Sequence, residues 1–209
     1  MNQNLIEIIF LLDRSGSMSG LESDTIGGFN SFIKTQSKLG DTLLTTVLFD
    51  DKYEILHNGV NASDIVLTEK EYYTRGSTAL LDAVGKTILD VGFRLSKIDE
   101  YQRPHKVIFV ITTDGMENSS REFSYEKVNQ MISHQREMYQ WDFIFMGANI
   151  DVVKESTKLG INPDYAVGYV ASKVGTGRMY DQVSNMVCEM RTPRPRKRQN
   201  SPSSSSLDL

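Results

Sequence analysis

The segment NLIEIIFLLDRSGSM, Asn4–Met18, decides the fold class of this chain. Its first nine residues are almost entirely apolar, which is typical of a strand that is buried on both faces of a parallel sheet. The strand predicted over Leu5–Leu12 ends in a polar loop that has Asp13, Ser15 and Ser17 at alternate positions. A carboxylate and two hydroxyls at the carboxyl end of a buried strand indicate a ligand site at that edge of the sheet.

Strands and helices alternate along the rest of the chain. Apolar runs predict further strands at 43–49, 106–112, 142–146 and 165–169, with a short antiparallel edge strand at 53–56. Apolar residues at three- and four-residue steps predict helices, some short, at 21–39, 81–95, 128–138, 152–159 and 174–190. This alternation predicts an α/β fold with a doubly wound, mostly parallel sheet, one antiparallel edge strand and helices on both faces.

Two adjacent glycines interrupt the first predicted helix. Gly27 and Gly28 each cost about 1 kcal/mol of helix stability relative to alanine. We expect both of them where a neighbouring element packs closely against the helix.

Composition narrows the class of protein. The chain has 209 residues, of which 39% are hydrophobic and 24% charged, as in ordinary globular domains. No apolar run approaches the roughly 18 residues of a membrane span, and the N-terminus lacks the basic and small-residue features of a secretory signal. Cys188 is the single cysteine, which excludes an intramolecular disulfide and a cysteine-rich zinc site. These features favour a cytoplasmic protein without membrane contact.

The composition changes near residue 190, so we expect one domain over 1–190 and a disordered, basic, Ser/Pro-rich tail over 191–209. Five of the 23 Lys and Arg residues lie in RTPRPRKR, Arg191–Arg198, whereas the whole chain has 27 Asp and Glu. The tail has three open interpretations: a solvated extension, an arm that contacts nucleic-acid phosphates, or a sequence artefact. The absence of interleaved aromatic residues and the acidic body both speak against nucleic-acid binding.

Two further polar loops are expected at the same edge of the sheet as the first. Thr78 lies in RGSTALLDA, just before the predicted helix 81–95, and Asp114 follows the strand 106–112 in TTDGMEN. Loops at the carboxyl ends of strands converge in one crevice. The three loops together offer two carboxylates and three hydroxyls, without nitrogen or sulfur, and such an oxygen set suits a hard cation. Mg²⁺ fits best and Mn²⁺ nearly as well.

Each loop also has a simpler interpretation. The residues around Asp13 can cap a helix or form a turn. Thr78 can be the N-cap of the helix that follows it, and Asp114 with Gly115 can form an ordinary turn. Three such loops in one crevice favour the metal site over these alternatives.

Other polar residues lack a functional pattern. Asp50 and Asp51 are interpreted as turn residues, with a position near the crevice as the alternative. None of the three histidines has the spacing of metal ligands, so we interpret them as surface or packing residues; they are His57, His105 and His134.

DRSGSM, the threonine of RGSTALLDA and the aspartate of TTDGMEN resemble the metal-ion-dependent adhesion site (MIDAS) of von Willebrand factor A (VWA) domains, in family order. The resemblance covers roughly Leu5 to Met190 and implies a Rossmann-like VWA domain over 1–190. It implies that the hydroxyls of Ser15 and Ser17 bind a Mg²⁺ ion and that Thr78 binds it when a ligand is present. It also implies that Asp13 and Asp114 act largely through water, with direct ligation by one of them as an alternative.

The same resemblance implies a divalent-cation-dependent protein-binding module, in which an Asp or Glu of a partner protein completes the coordination of the ion. By analogy with cytosolic members of the family, the partner is an ATPase or part of a multiprotein complex. Five residues are expected in a second layer around the ion or on the rim that faces the partner: Gly16, Gly76, Ser77, Gly115 and Glu117. Specificity is expected from the loop surface near Met18, Leu21, Tyr72, Tyr73, Met116 and Glu117.

The alternative function is a metal-dependent hydrolase or phosphotransferase on a similar sheet. Phosphatases of the haloacid dehalogenase type also have an aspartate after the first strand, but they need a second acid two residues later, where this chain has Ser15. The three loops contain no paired base, cysteine nucleophile or lysine that would activate water or stabilise a leaving group. We therefore expect a binding protein and not an enzyme. A site in which the ion only holds the loops together is a third interpretation.

Overall fold

The structure of the protein is a computed structural model that describes residues 1–170 and 172–191. Within these residues, six strands and five α-helices alternate along the chain. The strands are β1 (Asn2–Asp13), β2 (Thr42–Phe49), β3 (Tyr53–Asn61), β4 (Pro104–Thr113), β5 (Asp142–Ala148) and β6 (Ala166–Tyr169). The helices are α1 (Glu22–Lys38), α2 (Leu80–Ser96), α3 (Tyr125–Tyr139), α4 (Val152–Lys158) and α5 (Lys173–Met190). The tail predicted over 191–209 lies, apart from Arg191, outside the described residues.

The strands form one sheet in the order β3-β2-β1-β4-β5-β6. β1 is central and pairs in parallel with both β2 and β4, while β3 is antiparallel to β2 at one edge. The chain order reverses between β1 and β4, so the loops after these two strands flank a topological switch point. The predicted fold class, a doubly wound and mostly parallel sheet with one antiparallel edge strand, is confirmed.

The apolar run of β1 is explained by burial on both faces of the sheet. Ile8 and Phe10 belong to the core under α1 and α5, whereas Ile9 and Leu11 belong to the core under α2 and α3. All four side chains have no exposed surface. Because successive side chains of a strand point to opposite faces, two cores require an uninterrupted apolar strand.

The two glycines of α1 have different surroundings. A Cβ atom on Gly28 would lie 2.1 Å from a ring carbon of Tyr180, so α5 packs directly onto the α1 backbone there. A Cβ atom on Gly27 would have no atom within 4 Å. The predicted close packing is therefore right for Gly28 and wrong for Gly27.

The edge strand β3 extends to Asn61, five residues beyond the predicted end. Its second half, HNGVN, has no strict alternation of polar and apolar residues, because within the described residues one edge of β3 has no neighbouring strand and most of its side chains are partly exposed. No helix within the described part of the chain has the length and apolarity that crossing a membrane requires.

Candidate metal centre

Asp13 is the last residue of β1 and is completely buried. One oxygen of its carboxylate accepts a hydrogen bond from the backbone N–H of Ser15 at 2.7 Å, and the other accepts one from the hydroxyl of Thr113 at 2.6 Å. Burial raises the pKa of Asp13 to about 6, although these hydrogen bonds lower it and the nearby charge of Asp114 raises it further. The carboxylate is therefore fixed in place but insufficiently solvated as an anion.

Hydroxyl groups connect the first loop to the loop after β4. The Oγ atoms of Ser15 and Ser17 lie 3.0 Å apart, and the Ser17 hydroxyl donates to Oδ1 of Asp114 at 2.5 Å. Ser17 and Asp114 are 97 positions apart in the chain. The convergence that the sequence analysis predicted for these two loops is thus present as direct side-chain contact.

Thr78, before α2, reaches the same place. A Cβ atom on Gly115 would lie 2.9 Å from Oγ of Ser17 and 3.2 Å from Oγ1 of Thr78, so the two hydroxyls flank the backbone of Gly115. The Thr78 side chain is almost fully buried. All three loops therefore contribute oxygen atoms to one small region, and the absence of a side chain at Gly115 leaves room for them.

The two carboxylates of this region have no basic partner among the described residues. Burial also raises the pKa of Asp114, although the hydrogen bond from Ser17 opposes this. Two buried acids that face hydroxyls and each other are costly as anions unless a cation neutralises them. The residues present thus fit a hard divalent ion, both in their oxygen chemistry and in the charge that they lack.

Within the part of the chain that the structure describes, no three or more His, Cys, Asp and Glu residues cluster in a way that could hold a metal ion. A metal site at the carboxyl end of the sheet must therefore depend on serine and threonine hydroxyls besides its two carboxylates.

A loop after β4 is fastened to the start of α2. The side chain of Asn118 accepts a hydrogen bond from the backbone N–H of Thr78 at 3.0 Å, and the backbone N–H of Asn118 donates back to the Thr78 carbonyl at 3.1 Å. Glu117 accepts from the backbone N–H groups of Leu81, Ser119 and Ser120. These contacts fix Thr78 and Asp114 relative to each other before any ligand binds.

Asp82 completes this attachment by accepting hydrogen bonds from three successive backbone N–H groups, those of residues 121–123. Although burial alone would raise it, these hydrogen bonds lower the pKa of Asp82. Asp82 was missed from the sequence, whereas Asn118 was expected either to hydrogen-bond in the second layer around the ion or to be a solvated loop residue. Their spacing to the partner loop is about 40 positions, and the only signal in the sequence is that acidic and amide side chains follow a helix start and a strand end.

The other residues expected around the ion have backbone or loop roles. The N–H of Gly16 donates to the carbonyl of Gly76 at 3.0 Å, which joins the first loop to the Thr78 loop. Gly76 has a positive φ of 68°, and a Cβ atom there would lie 2.2 Å from the Asp51 carboxylate. The Ser77 hydroxyl accepts a hydrogen bond from Ser119 at 2.6 Å and is exposed.

A second buried acidic group lies beside the first and is neutralised by arginine. Asp50 has no exposed surface, and its Oδ2 accepts from Nε of Arg14 and from Nε of Arg75, each at 2.8 Å. Arg14 also pairs with Glu54 at 2.8 Å. Burial would raise the pKa of Asp50, but the hydrogen bonds from Arg75, Lys52 N–H and Arg14 hold it below its usual value. Asp50 does form the predicted turn, since its N–H donates to the Lys52 carbonyl.

The predicted specificity surface is partly wrong. Met18, Leu21 and Tyr72 are buried, and the Tyr72 hydroxyl donates to the Asp13 carbonyl at 2.6 Å, which fixes the end of β1. Tyr73 and Met116 are exposed, at 46% and 66%. The three buried side chains were misassigned because loop residues were taken to be surface residues.

Comparison with known proteins finds structures with the same fold but no protein with a similar sequence. No family model matches the chain, and no curated protein matches it in sequence. Solved structures do match over about nine-tenths of the chain. The vWF domain of the type V pili tip protein Mfa5 from Porphyromonas gingivalis superposes with a TM-score of 0.66 at 8% identity, over 91% of this chain and 97% of that one.

Two other solved structures match this chain with similar TM-scores. Manganese-loaded TRAP protein from Plasmodium vivax gives a TM-score of 0.61 at 13% identity, over 90% of this chain and 73% of that one. Proximal thread matrix protein 1 from the mussel byssus gives 0.62 at 18% identity over 90% of this chain, which spans only 47% of the mussel protein. Because these identities are low, the comparisons establish the von Willebrand factor A fold and nothing finer.

Proposed function

We propose, with the von Willebrand factor A fold as the premise, that this chain is a divalent-cation-dependent protein-binding module. Asp13, Ser15, Ser17, Thr78 and Asp114 would hold a Mg²⁺ ion, or Mn²⁺ in its place. An Asp or Glu side chain of a partner protein would complete the site. When bound, the ion supplies an electrophilic position at which a carboxylate oxygen can bind.

One observation supports this proposal more than any other: the oxygens of three distant loops meet where two buried carboxylates lack a counter-charge. Ser17 contacts both Ser15 and Asp114, at 3.0 and 2.5 Å. If the loops only formed turns, their side chains would cap their own backbone and would not contact each other across 97 residues. A bound cation explains both the convergence and the missing charge.

In this proposal, the carboxylates of the site supply negative charge and the hydroxyls supply neutral oxygen ligands. The Asp13 carboxylate is oriented by the Ser15 N–H and the Thr113 hydroxyl, so it presents a fixed negative charge. Ser15, Ser17 and Thr78 contribute neutral oxygens. Because only two of the five side chains are charged, the site neutralises a divalent ion without a surplus of negative charge, and an additional anionic ligand remains favourable.

Partner recognition needs more than one metal contact, because stable interfaces usually bury about 1,200–2,000 Å². Tyr73 and Met116 are exposed next to the crevice loops, and such large side chains often anchor interfaces. We infer that the partner presents an acidic residue within an apolar or aromatic surface.

Binding, and not catalysis, is the proposed role. Glu117 and Asp82, two further acids near the crevice, both accept hydrogen bonds from several backbone N–H groups, so their role is to hold the loop after β4 against α2. Mg²⁺-dependent hydrolysis of p-nitrophenyl phosphate that Asp13→Ala abolishes would contradict this proposal and favour the hydrolase alternative.

The experiment for the proposed function is a pull-down from cell extract in Mg²⁺ and in EDTA. Wild-type protein should retain a partner only in Mg²⁺, and Asp114→Asn should retain none in either buffer. Asp181→Asn, an exposed acid on α5, is the matched control and should behave as wild type. Equal recovery of the same partner by Asp114→Asn would contradict the proposal.

A further inference from the structure

Arg75 lies directly beside the first loop of the candidate metal centre. Its backbone N–H donates to the carbonyl of Arg14 at 2.7 Å, and the N–H of Gly16 donates back to the carbonyl of Gly76 at 3.0 Å. Ser15, one of the proposed ion ligands, stands between these two attachment points in the chain. Arg75 is therefore part of the crevice wall that a protein approaching the ion would meet.

Arg75 is also the basic residue of the crevice that reaches solvent. The three crevice loops, residues 13–21, 72–79 and 114–120, contain two basic residues, Arg14 and Arg75. The Arg14 side chain is 1% exposed, whereas the Arg75 side chain is 36% exposed. A protein that approaches the ion can therefore contact the guanidinium of Arg75 but not that of Arg14.

The guanidinium of Arg75 is held in place but keeps free donors. Its Nε donates to Oδ2 of Asp50 at 2.8 Å, and its Nη1 donates to the hydroxyl of Tyr73 at 3.2 Å. The guanidinium carbon also lies 5.4 Å from the centre of the Tyr73 ring. The other N–H groups of this side chain have no hydrogen-bond partner among the described residues. Because the side chain is already ordered, binding a ligand to these donors costs little side-chain entropy.

The ion pairs around Arg75 leave its solvent-facing edge without a carboxylate. Oδ2 of Asp50 is shared between Arg14 and Arg75, at 2.8 Å from each. The second acid of this cluster, Glu54, pairs with Arg14. Among the described residues, Asp50 is therefore the single carboxylate within ion-pair distance of Arg75. A guanidinium with free N–H donors favours a carboxylate as its ligand, because the two groups match in charge and geometry.

We propose that Arg75 is a second anion-binding position of the crevice and that the partner protein presents two acidic side chains. One carboxylate completes the coordination of the ion, and the other pairs with the free N–H donors of Arg75. This inference rests on the proposed metal-dependent binding function. It adds a selection that the ion alone does not provide, because a partner with a basic residue opposite Arg75 is rejected by like charge.

The first test selects short random peptides, displayed on phage, on immobilised protein in Mg²⁺ and recovers them with EDTA. Peptides from the wild type should contain two Asp or Glu residues at a fixed spacing, whereas peptides from Arg75→Gln should require only one. A single required acid in the wild-type selection would overturn the proposal and leave the proposed function intact. Failure of both proteins to give peptides that EDTA releases would overturn the proposed function, and this inference with it.

Arg136→Gln is the matched control for the lost charge. Arg136 is exposed in the last turn of α3, and the chain then enters β5 at the end of the sheet opposite the crevice. This variant should select the same two-acid peptides as the wild type. Loss of the second acid in Arg136→Gln as well would mean that net charge, and not Arg75, selects it, and would overturn the proposal.

A thermodynamic cycle then identifies the acid that pairs with Arg75. Each acid of a selected peptide is replaced in turn by its amide, and binding is measured by calorimetry in Mg²⁺. One replacement should abolish binding to both proteins, because that acid binds the ion. The other should weaken binding to the wild type about fivefold, or ~1 kcal/mol, the upper range for a partly exposed ion pair, and should leave binding to Arg75→Gln unchanged. An equal loss in both proteins would overturn the assigned pair.

The metal site of Arg75→Gln is the control for folding. Without peptide, this variant should bind Mg²⁺ at least as tightly as the wild type, because it keeps every proposed ligand residue and removes a positive charge near the ion. If Arg75→Gln does not fold, the peptide itself keeps the proposal testable. Replacing its second acid by lysine should weaken binding to the wild type more than the amide replacement does, because like charges then face each other. Equal affinities of the lysine and amide peptides would overturn the proposal.

Discussion

Two groups of buried acids lie side by side at the carboxyl end of the sheet. Among the described residues, only one of the two groups is neutralised by basic side chains. Asp50 is paired with Arg14 and Arg75, so its negative charge is balanced within the chain. Asp13 and Asp114 receive hydrogen bonds from hydroxyl and backbone N–H groups, and no basic group pairs with them among the described residues. Arg14 follows Asp13 in the sequence, yet its side chain pairs with Asp50.

This difference shows that a buried acid alone does not indicate a metal site. The group around Asp50 is a closed ion-pair cluster that joins the β2–β3 turn to the loops of Arg14 and Arg75. The group around Asp13 lacks one or two positive charges, and that deficit is what a divalent cation would supply. The following predictions test whether the two groups really differ in this way.

The largest expected effect is on the closed cluster. Asp50→Ala should lower the free energy of unfolding by about 3–5 kcal/mol, because it leaves the buried Arg14 guanidinium without its principal partner. Urea denaturation should give the same loss in Mg²⁺ and in EDTA. A loss that appears only in Mg²⁺ would mean that Asp50 belongs to the metal centre.

The next largest effect concerns Asp13 and Asp114, which we call the uncompensated pair because neither has a basic partner among the described residues. Mg²⁺ at 100 times its dissociation constant should stabilise the wild type by about 2.7 kcal/mol, which raises Tm by about 5–10 °C in a domain of this size. Asp114→Asn should lose most of this shift, and in EDTA it should be as stable as wild type or more so, because it removes one of two repelling charges. Thermal denaturation in both buffers measures this. A variant that is severely destabilised in EDTA would refute the assignment of Asp114 as an uncompensated acid.

The pH dependence should follow from the raised pKa of Asp13. In EDTA, the folded protein binds this proton up to about pH 6 and the unfolded chain only up to about pH 4. The folded form therefore holds more protons between these values, so the free energy of unfolding should fall as the pH rises from 4 to 6, by on the order of 2 kcal/mol.

Saturating Mg²⁺ should remove that decline, because the ion replaces the proton as the counter-charge of Asp13. Urea denaturation at several pH values, with Asp13→Asn as the control, tests this. A wild-type curve that coincides with the Asp13→Asn curve in EDTA would contradict the prediction.

The smallest effect should come from Gly115→Ala. The new methyl group would lie 2.9 Å from Oγ of Ser17 and 3.2 Å from Oγ1 of Thr78, so it should displace the two hydroxyls and weaken Mg²⁺ binding about tenfold, or ~1.4 kcal/mol. Calorimetric titration with Mg²⁺ measures it. Gly27→Ala has no atom within 4 Å of the added carbon and should bind Mg²⁺ as wild type does.

The fold could be predicted because its main signals are local. The apolar run of β1 and the three- and four-residue steps of α2 are visible in short windows, and the predicted helix 81–95 differs from Leu80–Ser96 by one residue at each end. The edge strand β3 was underestimated because half-exposed strands have a weak apolar pattern. The close packing at Gly28 was predicted correctly because a glycine inside a helix indicates a close neighbour. Gly27 has the same sequence signal but no such neighbour, so the same prediction was wrong there.

The candidate site was predictable only in its outline. Asp13, Ser15 and Ser17 are close in sequence, and the loops of Thr78 and Asp114 follow from the parallel topology. The burial of Arg14, by contrast, depends on Asp50, which is 36 positions away, and no local pattern indicates that an arginine between an aspartate and a serine is buried. The attachment by Glu117 and Asp82 depends in the same way on tertiary contacts between loop and helix.

The most direct test of the uncompensated pair is a crystal structure of the protein grown with Mn²⁺, with anomalous diffraction data to locate the ion. We predict one anomalous peak at direct coordination distance from the Ser15 and Ser17 hydroxyl oxygens, with Asp13 and Asp114 around it either directly or through water. A structure at saturating Mn²⁺ without a peak at this position, or with Arg14 turned to neutralise Asp13, would contradict it.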